Sequence, residues 1–513
     1  MRKNNIWNEA KTDVGQHLNR EDFPSFDAHD PKVELVNVLM TGTTGNKFYA
    51  SGKRMTNEYI EVIKKIDDPE FLAKAILYAR LNGFMREVPI AALVHLSSID
   101  PTLYRKVYHK VLRTPRDWDK FVSIARSGAF RKGLGKAIKK TMIEALSSMS
   151  IYHAIKYPKP VKDMIRLSRP SEEVNPAIIK FIMEKDPSTD ETLKVLSELP
   201  SMSESEVVEA IRKYRLPFEA VMARVKPTPA IYEALLYNAP YMNLIMNLHT
   251  FYRAGVFSKQ ENIEYAAKRI ADPDNIKNSM LFPYRYFIAY NAFKRNILNA
   301  ESKDEMIPIL SALKTAIEQS VSNVPSLNGT VLIALDISWS MRGIAINKES
   351  IVTYSDIASI FAGSILKRNP DNTIVIPFRD HVEKDIGVKF TDIIQSHGII
   401  EATEYIRNIS DDGTSLSAPI EHALKNDIHA DTIVAITDNE EWVGRPFINA
   451  LQEYLQKHPK TQVYLITISP YRDYPTPTNH SNVHYIFGWS DKILTYIGKT
   501  HEDMLTDIEN YPL

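Results

Sequence analysis

The stretch "VLIALDISWSMRG" (Val331–Gly343) sets an apolar run directly against an aspartate and two serines spaced one residue apart. Five of its first six residues are aliphatic, which is too continuous for a strand with one wet face and suits a strand covered on both sides. Such a strand, ending in Asp336, Ser338 and Ser340, carries oxygen-bearing side chains to its carboxyl end.

Working outward, similar runs follow downstream: "TIVIPF" (373–378), "DTIVAITD" (431–438), "QVYLITIS" (462–469) and "VHYIFG" (483–488). Amphipathic segments such as "SDIASIFAGSILKR" and "RPFINALQEYLQKH" separate them, the alternation expected of a doubly wound α/β domain with a parallel sheet. Upstream, from about residue 55 to 320, apolar residues recur at helical spacing, as in Phe71, Leu72, Ala75, Ile76 and Ala79. Breaks fall at short joints such as "DDPEF", "TPRDW", "SRPSEEVNP" and "KPTPA". This half reads as all-α, an array of stacked helix pairs of the HEAT kind without a strict sequence period, with a compact helical bundle as the alternative. The expected division is 1–325 for the helical repeats and 326–513 for the α/β domain with a C-terminal helical tail.

A chain of 513 residues exceeds what one core supports, so a multidomain protein is expected. Its charge balances, 63 basic against 63 acidic residues, and the absence of cysteine excludes disulfides, thiolate metal sites and cysteine nucleophiles. No signal-type apolar core opens the sequence and no run of 18 uncharged apolar residues occurs, so a cytoplasmic protein without a membrane span is expected. A monomer is expected.

In open α/β sheets ligands bind beyond the carboxyl ends of the strands. Two strands here end in aspartate, Asp336 and Asp438, and the loop "DDGTSLSAP" between them offers Thr414 behind Gly413, whose missing Cβ eases a close approach. Two carboxylates and three hydroxyls form an all-oxygen donor set with few charges, better suited to a divalent cation such as Mg²⁺ or Mn²⁺ than to zinc. Trp339, between the serines, is expected to pack against a helix covering the sheet; Trp442 either shields the site or forms a partner surface. The order "DISWS", "DGTS", "AITDNEEW" resembles the metal-ion-dependent adhesion site of von Willebrand factor A domains. The resemblance assigns the five ligand positions to Asp336, Ser338, Ser340, Thr414 and Asp438, leaving room on the ion for an acidic protein partner.

Between Arg105 and Arg169 lie 17 Lys or Arg against four acids, with Tyr152, His153 and Tyr157 among them, the expected footprint of phosphate binding. "GLGKAIKK" (133–140) is not a phosphate loop, because Phe130 stands at the first glycine position and Ala137 where Ser or Thr is required. Lys136, Lys139 and Lys140 instead share one helical face. This segment, with "FLAKAILYARLNGFMREVPIAAL", "YEALLYNAPYMNLIMNL" and "TDNEEW", resembles the TROVE-domain Ro ribonucleoproteins from about residue 30 to the end. The resemblance implies a ring of HEAT-like helices closed by the von Willebrand domain, binding noncoding Y RNAs and the ends of misfolded small RNAs. By position it carries RNA contact to Lys156 in "IKY", to Arg169 where the family has histidine, and to Lys159 or Lys162 in "PKPVK". Arg166 completes the basic set. It also implies an exoribonuclease as a partner at the acidic-partner site. No second metal cluster, HExxH, GxSxG or nucleotide loop is present, so a noncatalytic RNA-binding protein is expected, with a metal-dependent protein-binding scaffold as the alternative.

Overall fold

The computed structural model describes residues 16–18, 24–26, 30–42, 52–187, 190–279, 281, 283–297, 301–322, 326–343, 352–409, 413–441, 443–468, 474–477, 480–488, 497 and 501–513. Helices dominate up to residue 320, and the proline-bearing joints of the sequence are their first turns. Asp68 accepts from the Glu70 and Phe71 amides ahead of Pro69–Leu81. Thr114 and Asp117 form a reciprocal capping box ahead of Pro115–Arg126, and Thr228 caps Pro229–Asn238. Proline costs nothing at a first helical position, where its missing N–H has no intrahelical partner.

By their contacts the described residues form two compact units. One comprises Ile90–Leu281 with Arg285–Ser320; the other comprises Met1–Pro89, Phe282–Tyr284 and Val321–Leu513. The first unit is all helical, and within it Lys136–Ser147 packs on Pro158–Ser168, and Glu204–Tyr214 on Pro229–Asn238.

The second unit holds a short antiparallel pair, β1 (Gln16–Leu18) and β2 (Pro24–Phe26), and a five-stranded parallel sheet. The sheet strands are β3 (Val331–Asp336), β4 (Thr373–Phe378), β5 (Thr432–Thr437), β6 (Gln462–Thr467) and β7 (Val483–Phe487), in the spatial order β4, β3, β5, β6, β7. All five runs read from the sequence are strands. Leaving β3, the chain crosses through Tyr354–Arg368 to β4; leaving β5, it crosses through Phe447–Lys457 to β6 on the opposite side. Neighbouring strands whose exits diverge open a crevice at their carboxyl ends.

The boundary expected at 325/326 marks the change from helices to sheet, but packing divides the chain elsewhere. Pro31–Thr41 and Pro69–Leu81 belong to the sheet-bearing unit. The Asn37 amide donates to the Tyr474 hydroxyl at 3.0 Å, Lys32 pairs with Glu509 at 2.6 Å, and the rings of Tyr78 and Tyr511 meet edge to face at 5.8 Å. Gly488, at φ +106°, leaves room for the Met40 carbonyl, which a Cβ there would approach to 2.9 Å. The physical reason is burial: β7 and the C-terminal helix His501–Glu509 need apolar cover, and these early helices supply it.

Candidate metal centre and basic helical face

Asp336 is the last residue of β3, and Asp438 directly follows β5, so the crevice places both carboxylates side by side. Both are fully buried. Asp336 accepts from the Ser338 amide at 2.9 Å and from the Thr437 hydroxyl at 2.7 Å. The Ser338 and Ser340 hydroxyls lie 3.2 Å apart, Ser340 hydrogen-bonds Asp438, and Asp438 also accepts from the Glu440 amide at 3.2 Å. Four of the five expected ligands therefore form one connected network.

Thr414, the fifth, is buried, and its hydroxyl makes no hydrogen bond among the described residues. A buried hydroxyl left in that state loses roughly 1–3 kcal/mol relative to one that is satisfied. Its loop is held by the Ser415 amide, which donates to the Arg379 carbonyl at 2.6 Å, and by the Val443 amide, which donates to the Thr414 carbonyl at 3.2 Å. Gly413 adopts φ +110°, and a Cβ there would sit 2.6 Å from Asp380 Cβ, so the glycine admits a close approach of the loop to Asp380.

Burial, then the charge of Asp336, pushes Asp438 up to about 7; burial likewise raises Asp336, against the hydrogen bonds from Ser338 and Thr437. Two buried carboxylates with the Ser338 and Ser340 hydroxyls make a hard-oxygen set of the kind a divalent cation takes. Among the described residues no group of three His, Cys, Asp or Glu is placed to hold a metal ion.

Trp339 departs from expectation. It is 44% exposed, at the start of the short helix Trp339–Gly343, while Ser338 and Ser340 on either side of it are buried. The Arg342 guanidinium lies 6.0 Å from its ring centre, with Nε and Nη1 buried and lacking a hydrogen-bond partner among the described residues. Trp442 lies outside the described residues. Thr437 escaped the sequence reading because only the cross-strand register, Leu335 opposite Ile436, brings it to Asp336. Asn439, in the left-handed region at φ +65°, is tied by its amide to Thr467 at 2.9 Å and sharpens the turn after Asp438.

In the helical unit, Lys136, Lys139 and Lys140 are exposed on Lys136–Ser147, opposite the buried Ile138, Thr141, Met142 and Leu146. That helix starts at Gly135 without a side-chain cap, and the preceding loop is pinned by Arg131, which donates to the carbonyls of Gly133 and Ser97. On Pro158–Ser168, also lacking a side-chain cap, Lys159 and Arg166 are exposed and Lys162 is half-buried; Arg169 follows in the left-handed region. Lys156 differs: its ammonium is half-buried, pairs with Glu219 at 2.9 Å and bonds the Tyr152 hydroxyl at 3.3 Å.

The fold defines a class: a helical-repeat protein carrying a von Willebrand factor A domain, with two buried carboxylates and two serine hydroxyls gathered at its strand ends. Comparison with known families matches residues 175–330 to the TROVE domain and 330–475 to the Ro60 vWA domain. The basic segment 105–169 precedes the first match. The chain is 23% identical over 462 residues to a protein of Deinococcus radiodurans named "RNA-binding protein RO60", covering 82% of this chain and 83% of that one. The crystal structure of the Deinococcus radiodurans RO (RSR) protein superimposes with a TM-score of 0.62 at 19% identity, over 92% of this chain and all of the other, a likeness of fold. The chain belongs to the TROVE-domain Ro family.

Proposed function

We propose that this protein is a noncatalytic ribonucleoprotein component that binds small noncoding RNA of the Y kind and the ends of misfolded RNAs. One observation carries the reading. Lys136, Lys139, Lys140, Lys159, Lys162, Arg166 and Arg169 sit on two packed helices and just beyond, and none makes an ion pair among the described residues. Three of these lysines crowd the first turns of a helix whose uncapped start is already electropositive, an arrangement that destabilises the free protein and favours a bound phosphate. The name carried by the Deinococcus relative supports the same class of ligand.

At the strand ends, Mg²⁺, or Mn²⁺ as the second candidate, would be held by Asp336, Ser338, Ser340, Thr414 and Asp438. The ion supplies a Lewis-acidic point with a position left for an outside carboxylate. Arg342 and the exposed Trp339 beside it suit an acidic protein partner, which the family resemblance makes an exoribonuclease.

Titration of a hairpin RNA with a single-stranded tail, repeated across salt concentrations, tests the RNA reading. Each phosphate contact adds roughly −0.7 to −0.9 to the slope of log K against log salt. Replacing Lys136, Lys139 and Lys140 together by alanine should flatten the slope by about 2–3. A flat wild-type slope, or one the triple variant leaves unchanged, refutes it.

A further inference from the structure

The helical unit contains a cleft of about 500 Å³ that the basic face does not account for. Its walls include Tyr152, Arg215, Phe218, Tyr237, Asn243 and Arg269. We propose that this cleft receives one unstacked nucleobase from a single-stranded segment of bound RNA, an inference that rests on the RNA-binding reading above.

The aromatic platform is built before any ligand arrives. Tyr237 is 40% exposed, yet its hydroxyl donates to the buried Asn262 at 2.7 Å and its ring lies 4.4 Å from that of Tyr265. Tyr265 in turn donates to the Tyr237 carbonyl at 3.3 Å. Arg269 stacks over the Tyr265 ring at 5.6 Å while donating to the Ala239 carbonyl at 3.0 Å. A tyrosine fixed in this way offers a flat apolar face at little cost in side-chain entropy, the property that makes aromatic residues good seats for bases.

A base also needs partners for its edge, and the cleft supplies them. Asn238 is oriented by donation to the Leu216 carbonyl at 3.1 Å, and the Asn243 side chain makes no hydrogen bond among the described residues. The attached phosphate finds cations at the rim. Arg215, exposed at φ +49° past the end of Glu204–Tyr214, has no ion pair among the described residues, and Tyr152 connects the cleft to Lys156. Flat faces, amide edges and flanking cations within one cleft match a nucleotide unit better than an apolar or a purely anionic ligand.

The test uses the full chain, a hairpin RNA with a single-stranded tail bearing 2-aminopurine, the same hairpin without the tail, and free AMP. Tyr237→Ala removes the stacking face; Tyr237→Phe keeps it and likewise loses the bond to Asn262, so the pair separates stacking from any change in folding. We expect Tyr237→Ala to weaken the tailed RNA about tenfold and to abolish the quenching of 2-aminopurine. Tyr237→Phe should behave as wild type, the blunt hairpin should be unaffected and the salt slope should stay the same. Equal loss for tailed and blunt RNA, or no loss with Tyr237→Ala, overturns the proposal while leaving the RNA-binding reading standing. AMP binding lost in Tyr237→Ala without any effect on tailed RNA makes the cleft a free-nucleotide site and also overturns it. Absence of RNA binding by the wild type removes both readings.

Discussion

Asp438 is the residue on which the metal proposal is most sharply exposed to test. Both strand-end acids are held above the ordinary carboxylate range, so without a cation the folded chain binds protons more tightly than the unfolded one. Stability contributed by this pair is then greatest at acid pH and falls as pH rises from about 4, the ordinary value, towards about 7. A divalent cation reverses the sign, because it binds the ionised pair and its affinity climbs through the same window. Mg²⁺ should therefore raise the melting temperature against an EDTA control at pH 8 and have little effect at pH 5. In Asp438→Asn the Mg²⁺ effect should vanish, and in EDTA at pH 8 the variant should melt above wild type. Stabilisation by Mg²⁺ that survives the substitution would rule the site out. At this scale the sequence was a good guide where the motif is local: "DISWS" brings Asp336, Ser338 and Ser340 together at the end of β3. It was blind where contact depends on register, as for Thr437, and misled on Trp339, whose size suggests packing while its place at the start of the short helix Trp339–Gly343 leaves it 44% exposed.

Helices and strands were legible for different reasons. Continuous Val/Ile runs have no stable place except a sheet covered on both faces, so all five strands were readable, while their spatial order was not, because crossovers are set by long-range packing. Proline after Asp or Thr marked helix starts for the local reason that both residues suit the first turn. The basic helices raise a question the sequence could not pose: Lys156, to which the resemblance carries RNA contact, is among the described residues the cation of the set that is engaged in an ion pair. Its ion pair joins two short helices, Ile151–Lys156 and Phe218–Met222, so an RNA phosphate at Lys156 would have to compete with Glu219. Glu219→Ala should accordingly raise affinity for tailed RNA a few-fold at low salt and steepen the salt slope by about 0.7–0.9, one extra contact. Lys156→Ala should undo that gain in the double variant. If Glu219→Ala leaves both affinity and slope unchanged, Lys156 is a structural cation whose partner is Glu219, and the phosphate contacts lie on the two longer helices.

For the molecule as a whole, the lesson lies in which unit the early helices join. Helical spacing, read from about residue 55, announces Pro69–Leu81 but carries no address, since an apolar stripe serves equally well against another helix or against a sheet, and Pro31–Thr41 lies ahead of the stretch read as helical. The structure assigns these helices to the unit that bears β3 to β7. The consequence is a truncation test. A fragment from 326 to 513 would retain β3 to β7 and every candidate metal ligand, yet would lose the Asn37–Tyr474 hydrogen bond, the Lys32–Glu509 pair and the cover that Pro31–Thr41 and Pro69–Leu81 give to β7 and the C-terminal helix. Exposed apolar surface of that kind, at roughly 25 cal/mol per Å², outweighs a typical margin of stability once a few hundred Å² are uncovered. The fragment should therefore aggregate or melt far below the full chain. Supplying residues 1–89 in trans or by fusion should restore a cooperative transition and, with it, the Mg²⁺-dependent shift in melting temperature. A fragment from 326 to 513 that folds cooperatively by itself, with the full-length Mg²⁺ response, would show instead that the early helices are passengers on a self-sufficient domain.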